Sequence, residues 1–459
     1  MKFSKKTRKA VWVYLLSFTF IMSLSACDDS SKPTNNRKLP TGPTTGILTD
    51  ALISGVSYTT SSGKAGITND QGIYDYNHGD TVEFKLGHLT LANIQATPIV
   101  TPVALADGSD NKLQNLLVLL QSLDSDGNPA NGISILADTA AAVSASINLD
   151  SDPATFVDST KLQTILEAGG IKNTAKTAEE ANAHFLSQGL NLLSTNIWVQ
   201  YDDKNANVIR IATDNSGEYL QGVATPDDSC DENRVCGGNT IIKAGVEYGV
   251  ANVLDFDTRG FKIIGIPTID TNLQAGLSHP RPTWRIHTDG FELITSDIVT
   301  VQRKREQSSL FGELFHVASP IVLSSDDEPI LTDVSEKRYN KMDNISSGIV
   351  GAWVLDQDSI KTKTLLFFPN KKFMLIDPTG ETHQSEQSEC GMPGVEFASY
   401  DYDTSAKTLT ISSYSYDTNG CAGFSETSGV PLSFTINTEG NLATLNKQDK
   451  EFTLYRVSR

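Results

Sequence analysis

Cationic side chains are scarce in this 459-residue sequence, which has 37 Lys and Arg against 55 Asp and Glu and a formal net charge of −18. A strongly acidic chain is repelled by the phosphates of nucleic acids and by anionic lipid headgroups. The composition therefore excludes nucleic acid as a partner. Such a charge also favours solubility in a crowded compartment.

The motifs of common enzymes are missing as well. The sequence has no Gly-x-Ser-x-Gly elbow, no phosphate-binding glycine loop of either common type, and no His-Glu-x-x-His pair. Its seven histidines are scattered. His279 and His287 flank Pro280-Arg281-Pro282, and we expect them in a loop or at a module rim. We therefore predict a non-enzymatic protein, for which calcium is the only cofactor candidate.

Long apolar runs are absent beyond the N-terminal segment. Residues 1–9 carry five basic side chains and no acid, and residues 10–23 are apolar but too short to span a bilayer. Leu24-Ser25-Ala26-Cys27 follows, and this resembles the lipobox of bacterial lipoproteins. The resemblance implies a signal peptide that ends before Cys27, acyl chains such as palmitate on its sulfur, and a membrane-anchored protein of the bacterial cell envelope.

Asp28 and Asp29 follow Cys27 directly. In enterobacterial lipoproteins, Asp at that place resembles a signal for retention at the inner membrane. The periplasmic face of the inner membrane and the outer membrane both remain open. Residues 28–45 are polar and rich in Pro, Ser, Thr and Asn, which predicts a flexible tether.

Cysteine is rare, with five residues in the chain. If Cys27 is lipidated, an even number remains, which predicts two disulfides in an oxidising compartment. Four cysteines allow three pairings, and the local pairs Cys230–Cys236 and Cys390–Cys421 are the simplest. A zinc site is the alternative, but neither close pair has the spacing of a zinc knuckle.

Short alternating segments separated by turns run from Gly46 to Ala106 and predict a half-buried sheet. The stretch DALISGVSYTTSSGKAGITNDQGIYDYNHGDTVEFKLG resembles the carboxypeptidase-regulatory-like β-sandwich of bacterial surface lipoproteins, some of them adhesin-like. Apolar residues at helical spacing from Lys112 to Asp124, and a capping box at Thr177 to Glu180, predict a helical layer over 107–195. We expect that layer to pack on the sandwich in a domain over 46–195.

The remaining sequence is β-rich and repeats itself. The segment Gly245-Val246-Glu247-Tyr248 matches Gly394-Val395-Glu396-Phe397, and further matches follow in the same order at offsets near 147 residues. We predict two tandem modules, at 196–306 and 348–459, joined by a linker at 307–347. Each module resembles a small lipocalin-like barrel in pattern. The fold class is therefore mainly β with a helical insert.

Each module offers a Trp near its start and an Arg near its end that could stack and close one end of a barrel. The candidates are Trp198 with Arg303 and Trp353 with Arg456. The alternative is that the residues of each pair are unrelated.

Asp124-x-Asp126-x-Asn128 has the oxygen spacing that begins a calcium loop. The sixth position is Pro129 instead of Gly, and the twelfth is Ile135 instead of Glu. An Asx turn that ends the preceding helix is the simpler interpretation.

Acidic residues recur in both modules, as Glu247 and Glu396 and as Asp270 and Asp417. A Glu–Asp pair can act as general acid and base. Their repetition in both copies instead favours a structural role, because both copies of a duplicated module must keep the residues that maintain the fold.

These features predict a lipid-anchored envelope protein that presents β modules for binding or adhesion, to a glycan or to another envelope protein. The alternatives are an accessory lipoprotein of a surface appendage or secretion system, a carrier of a small apolar ligand, and a hydrolase.

We predict that Cys27→Ser abolishes fatty-acid incorporation and release from the signal peptide, because acylation needs the thiol. Metabolic labelling with a fatty acid and membrane fractionation measure this, with Cys390→Ser as the control that keeps the label. Normal maturation and membrane sedimentation of the Cys27→Ser chain would contradict the lipid anchor.

Overall fold

The computed structural model describes residues 41–171, 174–225, 244–272, 276–301, 331–380, 391–420 and 423–457. All of them belong to one compact unit, Leu39–Arg459. Cys27 and the four remaining cysteines lie outside the described residues, and so does Arg303.

The N-terminal part is built from three small sheets. One sheet has the order β5-β1-β8 and another the order β4-β3-β6-β7, while β2 pairs with β9 in the third. The strands are β1 Pro43–Leu48, β2 Ile53–Ser54, β3 Ser57–Thr60, β4 Ala65–Ile67, β5 Ile73–Asn77, β6 Thr81–Leu86, β7 Leu89–Gln95, β8 Ile99–Val100 and β9 Ile133–Ser134. Alternation places Tyr74 and Phe84 in the shared core, with ring centroids 5.1 Å apart. The first strand begins at Pro43, slightly before the predicted domain boundary.

A helical layer packs on these sheets in one apolar core, as predicted. Its helices are α1 Pro102–Ala106, α2 Asp110–Ser122, α3 Ala137–Ala142, α4 Pro153–Phe156, α5 Thr160–Ala168 and α6 Ala178–Leu193. The predicted capping box is confirmed, because Thr177 accepts from the backbone N–H of Glu180 and the Glu180 carboxylate accepts from that of Thr177.

Two closed antiparallel barrels of eight strands follow. The first barrel comprises β10 Trp198–Tyr201, β11 Ala206–Ile211, β12 Glu218–Ala224, β13 Gly245–Asp257, β14 Gly260–Asp270, β15 Arg285–Thr288, β16 Glu292–Val301 and β17 Leu331–Lys341. The second barrel comprises β18 Gly351–Val354, β19 Thr364–Phe367, β20 Lys372–Asp377, β21 Gly394–Asp403, β22 Thr408–Asp417, β23 Leu432–Ile436, β24 Leu442–Lys447 and β25 Lys450–Arg456.

The two barrels repeat each other in register. Glu247 stands opposite Asp270 in the first, and Glu396 stands opposite Asp417 in the second. Each strand pairs with the next along the chain, and the last pairs with the first, so neither barrel has a free edge. The predicted fold class, mainly β with a helical insert, is confirmed.

The end of the first barrel differs from the predicted boundary at 306. Its closing strand is β17, which pairs with β16 and with β10, and Trp198 stands opposite Lys341. The range predicted as a linker, 307–347, therefore contains a barrel strand. Residues Val334 to Arg338 of that strand are all exposed. The strand therefore lacks the apolar alternation that marks a half-buried strand.

The barrels pack against each other through the outer faces of their first four strands, in one apolar cluster. The rings of Tyr201 and Phe368 stack with centroids 4.2 Å apart. Gly222 makes this close approach feasible, because a Cβ there would lie 2.6 Å from two side-chain carbons of Ile376. The second barrel therefore packs closely against the first.

The first barrel also shares a core with the helical layer. Phe185 of α6 contacts Phe256 and Phe261, each with centroids 4.9 Å apart. The barrel thus has a helix on one side and its duplicate on another.

We predict that Phe368→Ala lowers the free energy of unfolding by about 3–5 kcal/mol, because it removes a buried ring from the interface between the barrels. Urea denaturation measures this. Leu254→Ala, at a side chain 51% exposed, is the control and is expected to change stability by less than about 0.5 kcal/mol. Equal effects of the two substitutions would contradict the buried interface.

Candidate functional site

A cavity of about 630 Å³ opens inside the first barrel. Strands β10, β11, β12, β16 and β17 contribute to its wall, together with the chain between β14 and β15. Polar side chains dominate its lining: Gln200, Asn205, Asn207, Gln221, Thr225, His279, Arg281, Thr295, Ser296, Asp297, Ser335, Lys337 and Tyr339. Trp284 also lines it. The volume suits a small organic ligand.

Hydrogen bonds fix part of this wall. The backbone N–H of Leu277 donates to Gln221, whose amide donates to Asn207 over 3.1 Å, and Asn207 donates to Tyr339 over 3.2 Å. Two buried polar atoms on the wall, Oδ1 of Asn205 and Oγ of Ser296, have no hydrogen-bond partner among the described residues. Unpaired buried acceptors and hydroxyls are costly unless water or a ligand satisfies them.

A second polar group lies beside the cavity. The Arg281 guanidinium is 3.1 Å from Asp297, and the Thr283 hydroxyl donates to the same carboxylate. The Arg281 side chain is 75% exposed. The ion pair therefore places a charged donor at the mouth of the cavity.

The interior of the second barrel is apolar instead. Aromatic rings fill it, with Phe367 in contact with Phe373, Tyr400 and Phe434 at centroid separations of 5.1 to 5.9 Å. Strand pairing makes Leu375 the counterpart of Gln221, since each stands opposite the repeated Glu. Leu445 is the counterpart of Thr295, because each pairs with the corresponding position of the closing strand of its barrel. The two copies thus share a frame but differ inside.

Glu247 and Asp270 lie together at one edge of the cavity wall. Glu247 is fully buried and accepts from the Tyr219 hydroxyl over 3.1 Å and from the backbone N–H of Ser278 over 3.2 Å. Burial raises its pKa, and the neighbouring Asp270 raises it further. His279, on the cavity lining, completes this group with its imidazole.

Glu396 has the same place in the second barrel and is also fully buried. It accepts from the backbone N–H groups of Phe424 and Ser425, over 2.9 and 3.1 Å. Burial raises its pKa to about 7, partly offset by these amides and by Lys447. Both repeated glutamates therefore hold the same returning stretch of chain.

The structure brings together one of the two predicted Trp–Arg pairs. The Arg456 guanidinium lies 4.1 Å from the centroid of the Trp353 ring and donates to the carbonyls of Val350 and Gly348. Trp198 is equally buried, but Arg303 lies outside the described residues. Register assigns Lys341 to the place opposite Trp198 that Arg456 has opposite Trp353.

The calcium candidate is an Asx turn in this structure. Asp126 accepts from the backbone N–H of Asn128 over 2.8 Å and from Asn131, while Asp124 accepts from the backbone N–H of Ser134. Asp126 and Oδ1 of Asp124 are thus engaged by the protein's own donors, while Oδ2 of Asp124 has no hydrogen-bond partner among the described residues.

Sequence reasoning missed the cavity, and residues such as Gln221, Asn207 and Thr295 with it. A signal was present: inward positions of the first copy are polar where the second copy has Leu375 and Leu445. This signal can be recognised only once the strand register is known, because the register shows which positions face inward.

The chain matches no protein-family model, no curated protein and no solved structure. In the described part of the chain, no helix has the length and apolar character that crossing a membrane requires.

We predict that Glu396→Gln stabilises the protein above neutral pH. The folded-state pKa of Glu396, about 7, lies above its ordinary value of 4.5, so the stabilisation by its protonated form is complete below pH 4.5 and is lost as the pH rises through 7. Gln mimics the neutral acid. Its advantage should grow from near zero at pH 4 to about 3 kcal/mol at pH 8.

Urea denaturation over this pH range measures the difference. The exposed Glu451→Gln on the same barrel is the control and should run parallel to the unaltered chain. A Glu396→Gln curve that also runs parallel would show that the buried carboxyl does not titrate as argued.

Proposed function

We propose that this protein is a non-enzymatic, lipid-anchored protein of the bacterial cell envelope whose first barrel binds a small polar ligand. The observation that carries the proposal is the polar cavity of the first barrel, set against the apolar interior of its duplicate. A difference of this kind between two copies of one frame points to a role for the cavity beyond folding.

The lining supports a ligand rich in hydroxyl groups, such as the end of a glycan. Amide side chains present a donor and an acceptor together, which matches a hydroxyl group. Trp284 offers an apolar surface on which a sugar ring can stack. The unpaired atoms on Asn205 and Ser296 supply further hydrogen-bonding capacity. This lining disfavours an apolar ligand, whose binding would leave these groups unsatisfied.

A binding role fits the repeated carboxylates better than catalysis does. Glu396 lies in the barrel whose interior is filled, yet it holds the Phe424 segment as Glu247 holds Ser278. Both glutamates hold the same backbone stretch, and this structural role is enough to explain Glu247 without a catalytic one.

The envelope location rests on the sequence at Leu24 to Cys27. Acyl chains at Cys27 and the polar residues after it would place the cavity outside the cytoplasm, within a tether's reach of the membrane. A glycan ligand is available in that compartment, and binding it would constitute adhesion or attachment within the envelope.

We predict that the purified full chain binds members of an oligosaccharide array, and that Thr295→Leu weakens this binding about tenfold. The substitution introduces the residue of the second copy, adds bulk to the cavity and removes a hydroxyl. Thr444→Leu, at a half-buried position beside Leu445 in the second barrel, is the matched control and should bind as the unaltered chain does.

Equal binding by the Thr295→Leu chain would show that the ligand lies elsewhere. An array without binding, together with an apolar compound retained through purification and seen by mass spectrometry, would favour the carrier function instead.

A further inference from the structure

Three metal-binding side chains converge at the edge of the cavity. One ligand atom each from Glu247, Asp270 and His279 lies within 4.8 Å of the other two. Ser278 stands between them: its Oγ is 2.7 Å from Glu247 Oε1, 2.7 Å from His279 Nδ1 and 3.5 Å from Asp270 Oδ2. A hydroxyl has one proton to donate, so Ser278 can donate to only one of these three atoms at a time.

Glu247 is buried among neutral donors. Its recorded partners are the Tyr219 hydroxyl and the N–H and hydroxyl of Ser278, and no Lys or Arg of the described residues forms an ion pair with it. A buried carboxylate is costly to ionise without a compensating cation.

The second copy has a lysine near its buried glutamate, and the first copy does not have one at the corresponding position. Lys447 lies near Glu396 and donates to the carbonyl of Gly423. In the first barrel, strand register places Asp297 at the position of Lys447, since Asp297 pairs with Ser335 as Lys447 pairs with Lys450. At that strand position the first copy thus has a carboxylate, which pairs with Arg281, instead of a lysine.

A histidine appears together with this exchange. His279 follows Ser278 as Glu426 follows Ser425, so the imidazole belongs to the first copy. The loss of the lysine and the presence of His279 both favour a bound cation in the first barrel.

We propose that Glu247, Asp270 and His279 bind one divalent transition-metal ion, with Zn²⁺ as the best-matched metal. Two carboxylate oxygens and one imidazole nitrogen form a mixed set that suits Zn²⁺, whereas Ca²⁺ and Mg²⁺ prefer oxygen ligands throughout. Because His279 lines the cavity, a fourth coordination position would face that space. The ion would supply a positively charged partner for the buried carboxylate of Glu247.

The test is calorimetric titration of Zn²⁺ into the metal-free, tag-free full chain at pH 7.5. We expect one ion per chain at this site, and a loss of affinity of about a hundredfold in His279→Ala and in Asp270→Asn. Glu426→Ala, at the position of His279 in the second copy, is the matched control and should keep the affinity unchanged. Ca²⁺ and Mg²⁺ should bind far more weakly than Zn²⁺.

The cysteines require a separate readout, because thiolates also bind zinc. Co²⁺ in place of Zn²⁺ should give visible absorption bands without a thiolate-to-cobalt charge-transfer band in the near ultraviolet. The proposal is overturned if Zn²⁺ does not bind, if His279→Ala and Asp270→Asn bind it as well as the unaltered chain does, or if the thiolate band appears and the visible bands survive both substitutions. Circular dichroism confirms that the variants are folded.

Discussion

A buried carboxylate holds the same returning stretch of chain inside both barrels, and the interior of each barrel depends on it. Glu247 accepts from the backbone of Ser278, and Glu396 accepts from that of Phe424 and Ser425. Hydrogen bonds from backbone N–H groups to these carboxyl groups fix the stretch after the fifth strand of each barrel against the inner wall. The size and polarity of the side chains on this stretch then decide whether the barrel is filled or contains a cavity.

The difference between the copies follows from a few side chains on this common frame. In the second barrel, Phe424 enters the interior and packs on Phe373 at a centroid separation of 5.6 Å. In the first, Leu277 stands in its place, and Gln221 replaces the apolar counterpart Leu375. A smaller side chain and an inward amide leave a polar cavity where aromatic rings pack in the other copy.

Sequence reasoning could predict elements whose signals are local. The capping box at Thr177 and the in-order repeats of Gly-Val-Glu near Glu247 and Glu396 led to a helix and to two modules that the structure has. The closing strand of the first barrel was missed because it is polar and because residues 302–330 separate it from its neighbour, whereas β24 and β25 join through a short turn at Gln448 and Asp449. The cavity was missed because inward polar residues resemble outward ones until the register is known.

Duplication also explains how a hollow barrel can be stable. A barrel with a polar cavity has fewer apolar side-chain contacts inside it than a barrel filled with aromatic rings. The first barrel recovers apolar burial where Phe185 of α6 packs on Phe261, and on its outer face, where the second barrel covers Val208 and Leu220. The second barrel keeps an aromatic interior. The second copy therefore covers one face of the first barrel, and under the proposed function the polar side chains inside that barrel can serve binding instead of packing.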